Sequence, residues 1–412
     1  MDVLVERCAG LDVHRDTVVA TVRVPARGRR GREQATRTFA TTTAGICALG
    51  DWLAEHRISR AGMESTGVYW KPVYYLLEDQ LEVWLINAEH LHHVPGRKTD
   101  VADSAWIAQM IEHGLVRPSF VPPPPIRELR DLTRHRRTLV EERTRVIQRL
   151  EKVMQDAGIK LTSVASGLLT KSGRAMLEAL VAGESDPTVL AELARGRLRA
   201  KILALQQALA GRFRTGHHGL LAAQMLAHID FLDAAIADLD ALLATAAEPF
   251  RPILQRLTTI PGVSERTAVM LLADCGADMS VFPTAAHLAS WAGICPGNNS
   301  SGGRPRSGRT RHGSVALRTA LTEAAHAAAR TKGTYLAAHH AHIRSRRGVA
   351  KAIGATRHDL LIAYWHVVHD GVDYADLGPD WAHRRRSPEH RIRKLVHELE
   401  KLGQTVTLGP AA

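Results

Sequence analysis

The chain has 412 residues, with 54 Lys and Arg against 42 Asp and Glu, a net charge of +12 and a pI near 9.9. That balance is the footprint of a protein that displaces counterions from phosphates, and the length allows two or three domains with sizeable cores. Cys8, Cys47, Cys275 and Cys295 are widely spaced, which excludes a disulfide framework and a paired-cysteine zinc site and fits a reducing cytoplasm; with no apolar leader and no run of about 18 apolar residues, no membrane is expected.

Residues 7 to 13 are a short apolar run, and Thr17 to Val24 alternates like its hairpin partner. Asp12 then sits at the mouth of a sheet and faces a cleft rather than a core. Arg60 to Ser65 reads as a second strand delivering Glu64, and Thr99 to His113 as a helix with Asp100 and Asp103 at i and i+3 on one face. Singly, these acids have ordinary explanations: Asp12 opens a turn and Asp100 suits a helix N-terminus. Together, four carboxylates from three elements raise one another's pKa unless a divalent ion relieves them, most often magnesium, with two ions serving phosphodiester chemistry. These segments read as a ribonuclease H-like nuclease. Trp52, Trp70, Trp84 and Trp106 are expected as core anchors, and the pair His92-His93 lacks a partner cluster for a metal.

Four prolines, Pro122 to Pro125, follow and are expected to forbid helix and to mark a boundary, giving a first domain over 1–121. Leu129, Leu132, Leu139, Val146, Leu150 and Val153 then keep 3,4 spacing, with Arg136 and Arg143 filling the seam, in a helix from about Ile126 to Asp156. Met225, Ile229, Leu232, Ile236, Leu239 and Leu243 form a second series, so 126–250 reads as paired long, coiled-coil-like helices. Heptads name no partner, and an intrachain antiparallel hairpin and a dimerisation arm both satisfy them. Arg130, Arg134, Arg137 and Arg145 are candidates to track phosphates.

Within 251–412, the stretch LTTIPGVSERTAVMLLADCG predicts a helix-hairpin-helix: one helix ends at Thr259, Pro261-Gly262-Val263 turns the chain, and Glu265 to Ala273 follows. Its exposed backbone N–H groups, with Gly262 in the turn, suit a phosphate. Between Pro296 and Gly313 no apolar residue occurs. So polar and glycine-rich a loop is disordered or built around a polyanion, with Arg304, Arg306, Arg309 and Arg311 as bidentate donors beside Ser300-Ser301-Gly302-Gly303. The tail carries Arg384-Arg385-Arg386 and a basic amphipathic helix from Arg391 to Leu402, read as a solvated cap or a nucleic-acid clamp.

The acids in GLDVH, GMEST and KTDVADSAWIA, the IPGV turn, the SWAGICPGNNSSGG loop and the later RHDLLIAYWHVV and DYADLG, in this order, resemble the DEDD transposase family, from Leu11 to about Val406. That family comprises Piv-type DNA invertases and bridge-RNA-guided insertion-sequence recombinases. The resemblance implies an α/β plus α architecture: a RuvC-like N-terminal domain with Asp12, Glu64, Asp100 and Asp103 holding Mg2+ or Mn2+, a helical arm, and a mainly helical C-terminal transposase domain with a nucleophilic serine. Family members often carry a non-serine residue before that serine, which points to Ser301 over Ser300. It further implies donor and target DNA and a structured guide RNA as partners, a dimer or tetramer, and a bacterial, nucleoid-associated location. A composite centre follows, in which Ser301 attacks a metal-polarised phosphate and a phosphoserine conserves the bond energy. The alternative is a metal-dependent structure-specific nuclease or resolvase using water, with no covalent intermediate.

Overall fold

The computed structural model describes residues 2–26, 31–65, 67–87, 103–297, 299–302, 304–381 and 388–409. The chain divides into two compact units, Met1–Val121 and Pro122–Ala412. The arm and the C-terminal domain expected as separate bodies both fall within the second.

The first unit is a five-stranded mixed sheet of order β3-β2-β1-β4-β5, built from β1 (Cys8–Val13), β2 (Thr17–Pro25), β3 (Arg32–Ala40), β4 (Arg60–Glu64) and β5 (Glu82–Ile86). β1 pairs antiparallel with β2, as its turn-separated alternation predicts, and parallel with β4; β2–β3 is antiparallel and β4–β5 parallel. The middles of the central strands β1 and β4 are uncharged because both faces are covered, and their charges, Asp12, Arg60 and Glu64, stand at the ends. One face, with Ala9, Leu11, Ala61 and Met63, packs on α1 (Thr43–Glu55) and α2 (Trp70–Leu77). Trp52 lies in this core beside Phe39, 5.5 Å between ring centroids.

The other face meets α3 (Asp103–Glu112) through Cys8, Ile86, Ile107, Met110 and Ile111. Here two glycines decide the geometry. A Cβ at Gly10 would overlap Ser104 O and Ala108 N, and one at Gly62 would overlap the Ile111 side chain. The helix backbone therefore lies directly on β1, fastened by Cys8 Sγ to Ala108 O at 3.3 Å and by the buried Thr21–Ser104 hydroxyl pair at 2.7 Å. Gly10→Ala is expected to destabilise the unit by about 1–3 kcal/mol, the range for forcing atoms into a packed core, because the opposing atoms are backbone and cannot rotate away. A shift of the chemical-denaturation midpoint measures it, and an unchanged midpoint would show that the helix is not so closely seated.

In the second unit, α4 (Pro124–Asp156) starts inside the proline run. This corrects the expectation that all four prolines forbid helix: Pro124 and Pro125 occupy the first turn, where the missing N–H has no intrahelical partner to lose. Helices α5 (Lys171–Val181), α6 (Pro187–Glu192) and α7 (Ile202–Leu209) surround its C-terminal half, and α8 (Leu220–Ala247) runs beside it. Arg136 chelates Asp240 at 2.5 and 3.0 Å and Arg143 chelates Asp233, so the two helices are antiparallel within one chain. Of the two arrangements the heptads allowed, the structure has the intrachain hairpin. The helical run Thr215–Leu257, which contains α8, is by length and composition long and apolar enough to cross a membrane, although it holds no unbroken run of 18 apolar residues. Its Asp230 and Asp233, however, bind Arg174 and Arg143, so its polar positions serve helix packing.

The remainder is α9 (Arg251–Leu257), α10 (Glu265–Cys275), α11 (Ala285–Trp291), a two-stranded sheet of β6 (Asn299–Ser301) and β7 (Arg304–Ser307), then α12 (Val315–Ala328), α13 (Tyr335–Arg347), α14 (Val349–Asp370) and α15 (Pro388–Lys401). Tyr364, fully buried, ties α14 to the end of α10 by donating to Gly276 O at 2.6 Å.

Candidate active site

The acid cluster follows from strand register. In the parallel β1–β4 ladder Gly10 faces Gly62 and Leu11 faces Met63, so the next step along each strand brings Asp12 and Glu64 side by side. Side chains alternate between faces. Leu11 and Met63 point into the core, whereas Asp12 and Glu64 share the face with Gly10 and Gly62, the face on which α3 lies. Asp103 opens that helix, one residue before the Ser104 carbonyl that rests on Gly10. Three of the four predicted acids thus come from β1, β4 and α3 to one end of one sheet face. Asp100 and the pair His92-His93 lie outside the described residues.

Asp12 is a quarter exposed, and its Oδ2 lies 3.1 Å from Nε2 of the exposed His14. Glu64 and Asp103 are half-buried. An all-oxygen donor set of this kind suits a hard divalent cation. The carboxylates do not form a closed trio: among the described residues, the group of three His, Cys, Asp or Glu ligand atoms lying within 4.8 Å of one another is Asp156, His217 and His218. Hydrogen bonding argues against a metal there. His218 Nδ1 accepts from Arg214 N at 3.0 Å, which leaves the ring proton on Nε2, and that proton is donated to Asp156 Oδ2 at 3.1 Å. A ligating histidine instead frees one nitrogen and donates from the other. This trio is a structural clamp between α4 and the start of α8.

In the second unit, the polar glycine-rich loop, expected to be disordered or wrapped on a polyanion, contains a hairpin. Ser301 pairs with Arg304 at its tip, Gly302 takes φ 57° in the turn, and the register is irregular between Asn299 and Ser300. Only glycine adopts that backbone without strain. Gly303 and the side chains of Ser300, Ser301 and Arg306 are outside the described residues. Arg304 and Arg309 are on the surface, and Arg311 donates to Ser290 Oγ at 2.6 Å.

The Pro261–Gly262 turn falls between α9 and α10 as spaced in the sequence, with Ser264 capping α10 by accepting from Thr267 N at 3.3 Å. Gly262, at φ 87°, presses on the α12 backbone, where a Cβ would lie 2.5 Å from both Ala324 O and Ala328 N. Packing therefore accounts for this glycine. Arg130 and Arg134 are corrected as phosphate trackers. Arg130 donates to Ala273 O and Asp274 O, and Arg134 to the buried Asp274 carboxylate at 3.2 Å. Burial pushes Arg130 down, opposed by Asp274. Arg137 pairs with Glu141 one turn away.

Sequence reasoning missed an Asp–His pair. His339 Nδ1 lies 2.6 Å from Asp359, the aspartate of RHDLL, and stacks on Tyr335 at 5.4 Å. The carboxylate raises His339 above its ordinary range. Asp376 of DYADLG accepts from the Tyr335 and Gly378 amides, closing the same cluster. Their place in two of the resembling motifs was the available signal.

Comparison with known proteins agrees with this layout. A DEDD transposase model of the IS110 type, described as "Transposase", matches residues 9–159, spanning the acids and the whole of α4. A second, "Transposase IS116/IS110/IS902 family", matches residues 254–341, spanning the turn, the hairpin, α12 and His339. The "Insertion element IS110 uncharacterized 43.6 kDa protein" of Streptomyces coelicolor is 52% identical over 66 residues, which is 16% of this chain and 15% of that protein. With two models of one family matched in order over more than half of its length, the chain belongs to the IS110 family of DEDD transposases.

Proposed function

We propose that the protein is a DNA transposase of an insertion sequence, which cuts and rejoins DNA strands with a metal-dependent acid cluster and a serine nucleophile. The observation that carries this reading is the placement of Asp12 and Glu64 on adjacent parallel strands, on the face where α3 is seated by Gly10 and Gly62 so that it begins at Asp103. The 3-2-1-4-5 strand order, with three antiparallel strands followed by two parallel ones, supports a RuvC-like domain.

Asp12, Glu64 and Asp103, with Asp100, would hold Mg2+ or Mn2+, which supplies Lewis-acid stabilisation of charge on a phosphate when bound. Ser301 is the proposed nucleophile, in a hairpin whose glycine turn lets backbone approach a phosphate closely. Arg304, Arg306, Arg309 and Arg311 would hold the nucleic-acid backbone, with the amides after Gly262 as a further contact. Base pairing by a structured guide RNA would choose donor and target, which suits a protein that grips backbones. Exchange between two duplexes requires several cuts held together, so the working form is a dimer or tetramer. A bacterial cytoplasm, at the nucleoid, follows from that substrate. The arm over 126–250 and the transposase domain over 251–412 would divide these tasks.

The test is strand exchange by the full chain on plasmid donor and target with its flanking RNA supplied. Recombinant joints are expected with Mg2+ or Mn2+ and none with chelator. Joints undiminished by chelation would remove the metal from the reaction.

A further inference from the structure

α12, α13 and α14 enclose an open cleft of about 890 Å³ lined by His326, Arg330, His340, Arg344 and Ser345, with Glu323 the single acid among the described lining residues. His340 is nine-tenths buried. The Thr356 hydroxyl donates to Ala352 O, so it accepts from His340 Nδ1 at 3.0 Å, and Nε2 is the ring atom left for the cleft. One helical turn further along the same α12–α14 seam stand Arg318 and Arg357. The Thr322 hydroxyl donates to Arg318 O and accepts from Arg357 Nη1 at 3.4 Å, while Arg357 Nε is buried with no hydrogen-bond partner. Among the described residues, neither Arg318 nor Arg357 has an ion pair with a carboxylate.

A protein does not ordinarily hold half-buried like charges together without an anion. Burial and Arg318 push Arg357 down; burial, Arg344, His326 and His339 push His340 down. In both, burial is the larger cause and the neighbouring positive charge adds to it. From Arg318 to the end of α12 at Ala328, two residues before Arg330, the helix rises about 15 Å, between four and five base steps of about 3.4 Å.

We propose that this seam, from Arg318 and Arg357 to His340 and Arg344, is a binding track for a phosphodiester backbone, separate from the arginines of the serine hairpin. It rests on the reading of the chain as a nucleic-acid enzyme. Arg357 and Arg318 would take one phosphate in a two-guanidinium fork, and Arg344 and Arg330 the next ones along the cleft. DNA and RNA offer the same chemistry here, so both are probes.

The experiment is equilibrium binding of the full chain to a labelled generic duplex DNA and to a labelled single-stranded RNA over a salt series. Arg318→Gln with Arg357→Gln, and separately the exposed Arg344→Glu, should weaken binding about tenfold and flatten the slope of log K against log salt by about 0.7–0.9 for each phosphate no longer gripped. Weakening with one probe alone identifies which nucleic acid lies in the cleft. The Arg344→Glu variant guards against misfolding of the double variant, and Arg304→Gln with Arg309→Gln serves as comparison. Unchanged affinity and slope with both probes would overturn the track while leaving the transposase reading intact. A wild-type chain that binds neither probe would bring down that reading and the track with it.

Discussion

Asp12→Asn is expected to reduce strand cleavage and exchange by more than about a hundredfold, since even partners that only orient metal ligands cost 10–100-fold when changed. The substitution keeps the side chain's shape and removes only its charge and one anionic oxygen. Asp12 is at the strand end and a quarter exposed, so the sheet should keep its stability to within about 0.5 kcal/mol. Nucleic-acid affinity should persist or rise slightly, because it comes from an excess of 12 basic over acidic groups, 54 against 42, and a carboxylate near a phosphate only opposes it. His14→Ala is the matched control. It deletes the 3.1 Å contact to Asp12 but no proposed ligand, and an exposed pair of this kind is worth about 0–1 kcal/mol, so activity should change only a few-fold. Glu64→Gln should match Asp12→Asn, since the two carboxylates are lateral neighbours. Cleavage by Asp12→Asn at the wild-type rate would remove this acid from the chemistry.

Strands β1, β2 and β4, and with them the places of Asp12 and Glu64, were legible because they rest on short-range rules, whereas β3 and β5 were not read. A short apolar run predicted β1 and alternation predicted β2, each nearly to its ends, and an acid closing an apolar strand is conspicuous. The two glycines that seat α3 also had a signal, since glycine inside a strand marks close backbone approach. What escaped depends on distant partners. Arg130 and Arg134 looked like free cations because Asp274 lies some 140 residues away. The direction of the helix pair was open because hydrophobic seams name no partner, although Arg136 and Arg143 matched by Asp240 and Asp233 in reverse order carried it. The serine hairpin was missed for a different reason: lacking apolar residues, it gave periodicity nothing to read. Arg318, Thr322 and Arg357 are ordinary singly and become a site only when two helices lie against each other.

Ser301→Ala should abolish covalent capture of DNA while leaving metal and nucleic-acid binding intact. A serine hydroxyl is a weak nucleophile, so a reaction through it must be recognised by its product rather than by its rate. As Oγ bonds to phosphorus, the bond to the leaving sugar oxygen breaks, that oxygen takes a proton, and the serine's own proton passes to a base or to water. The phosphodiester energy is retained in the seryl ester, which lets strands rejoin without a further energy source. Ser301 is the last paired residue before the Gly302 turn, opposite Arg304, whereas Ser300 stands one step back at the irregular register. The arginines that follow would stabilise charge on the transferring phosphoryl group, a role worth orders of magnitude when donors are preorganised. Quenching a reaction on labelled duplex with denaturant and mapping the modified peptide by mass spectrometry should find DNA on Ser301. Ser300→Ala should preserve most of that adduct. An adduct mapped to Ser300 would move the nucleophile by one residue, and efficient exchange by the double Ser→Ala variant would leave water as the attacking group and the acids as the whole of the active site.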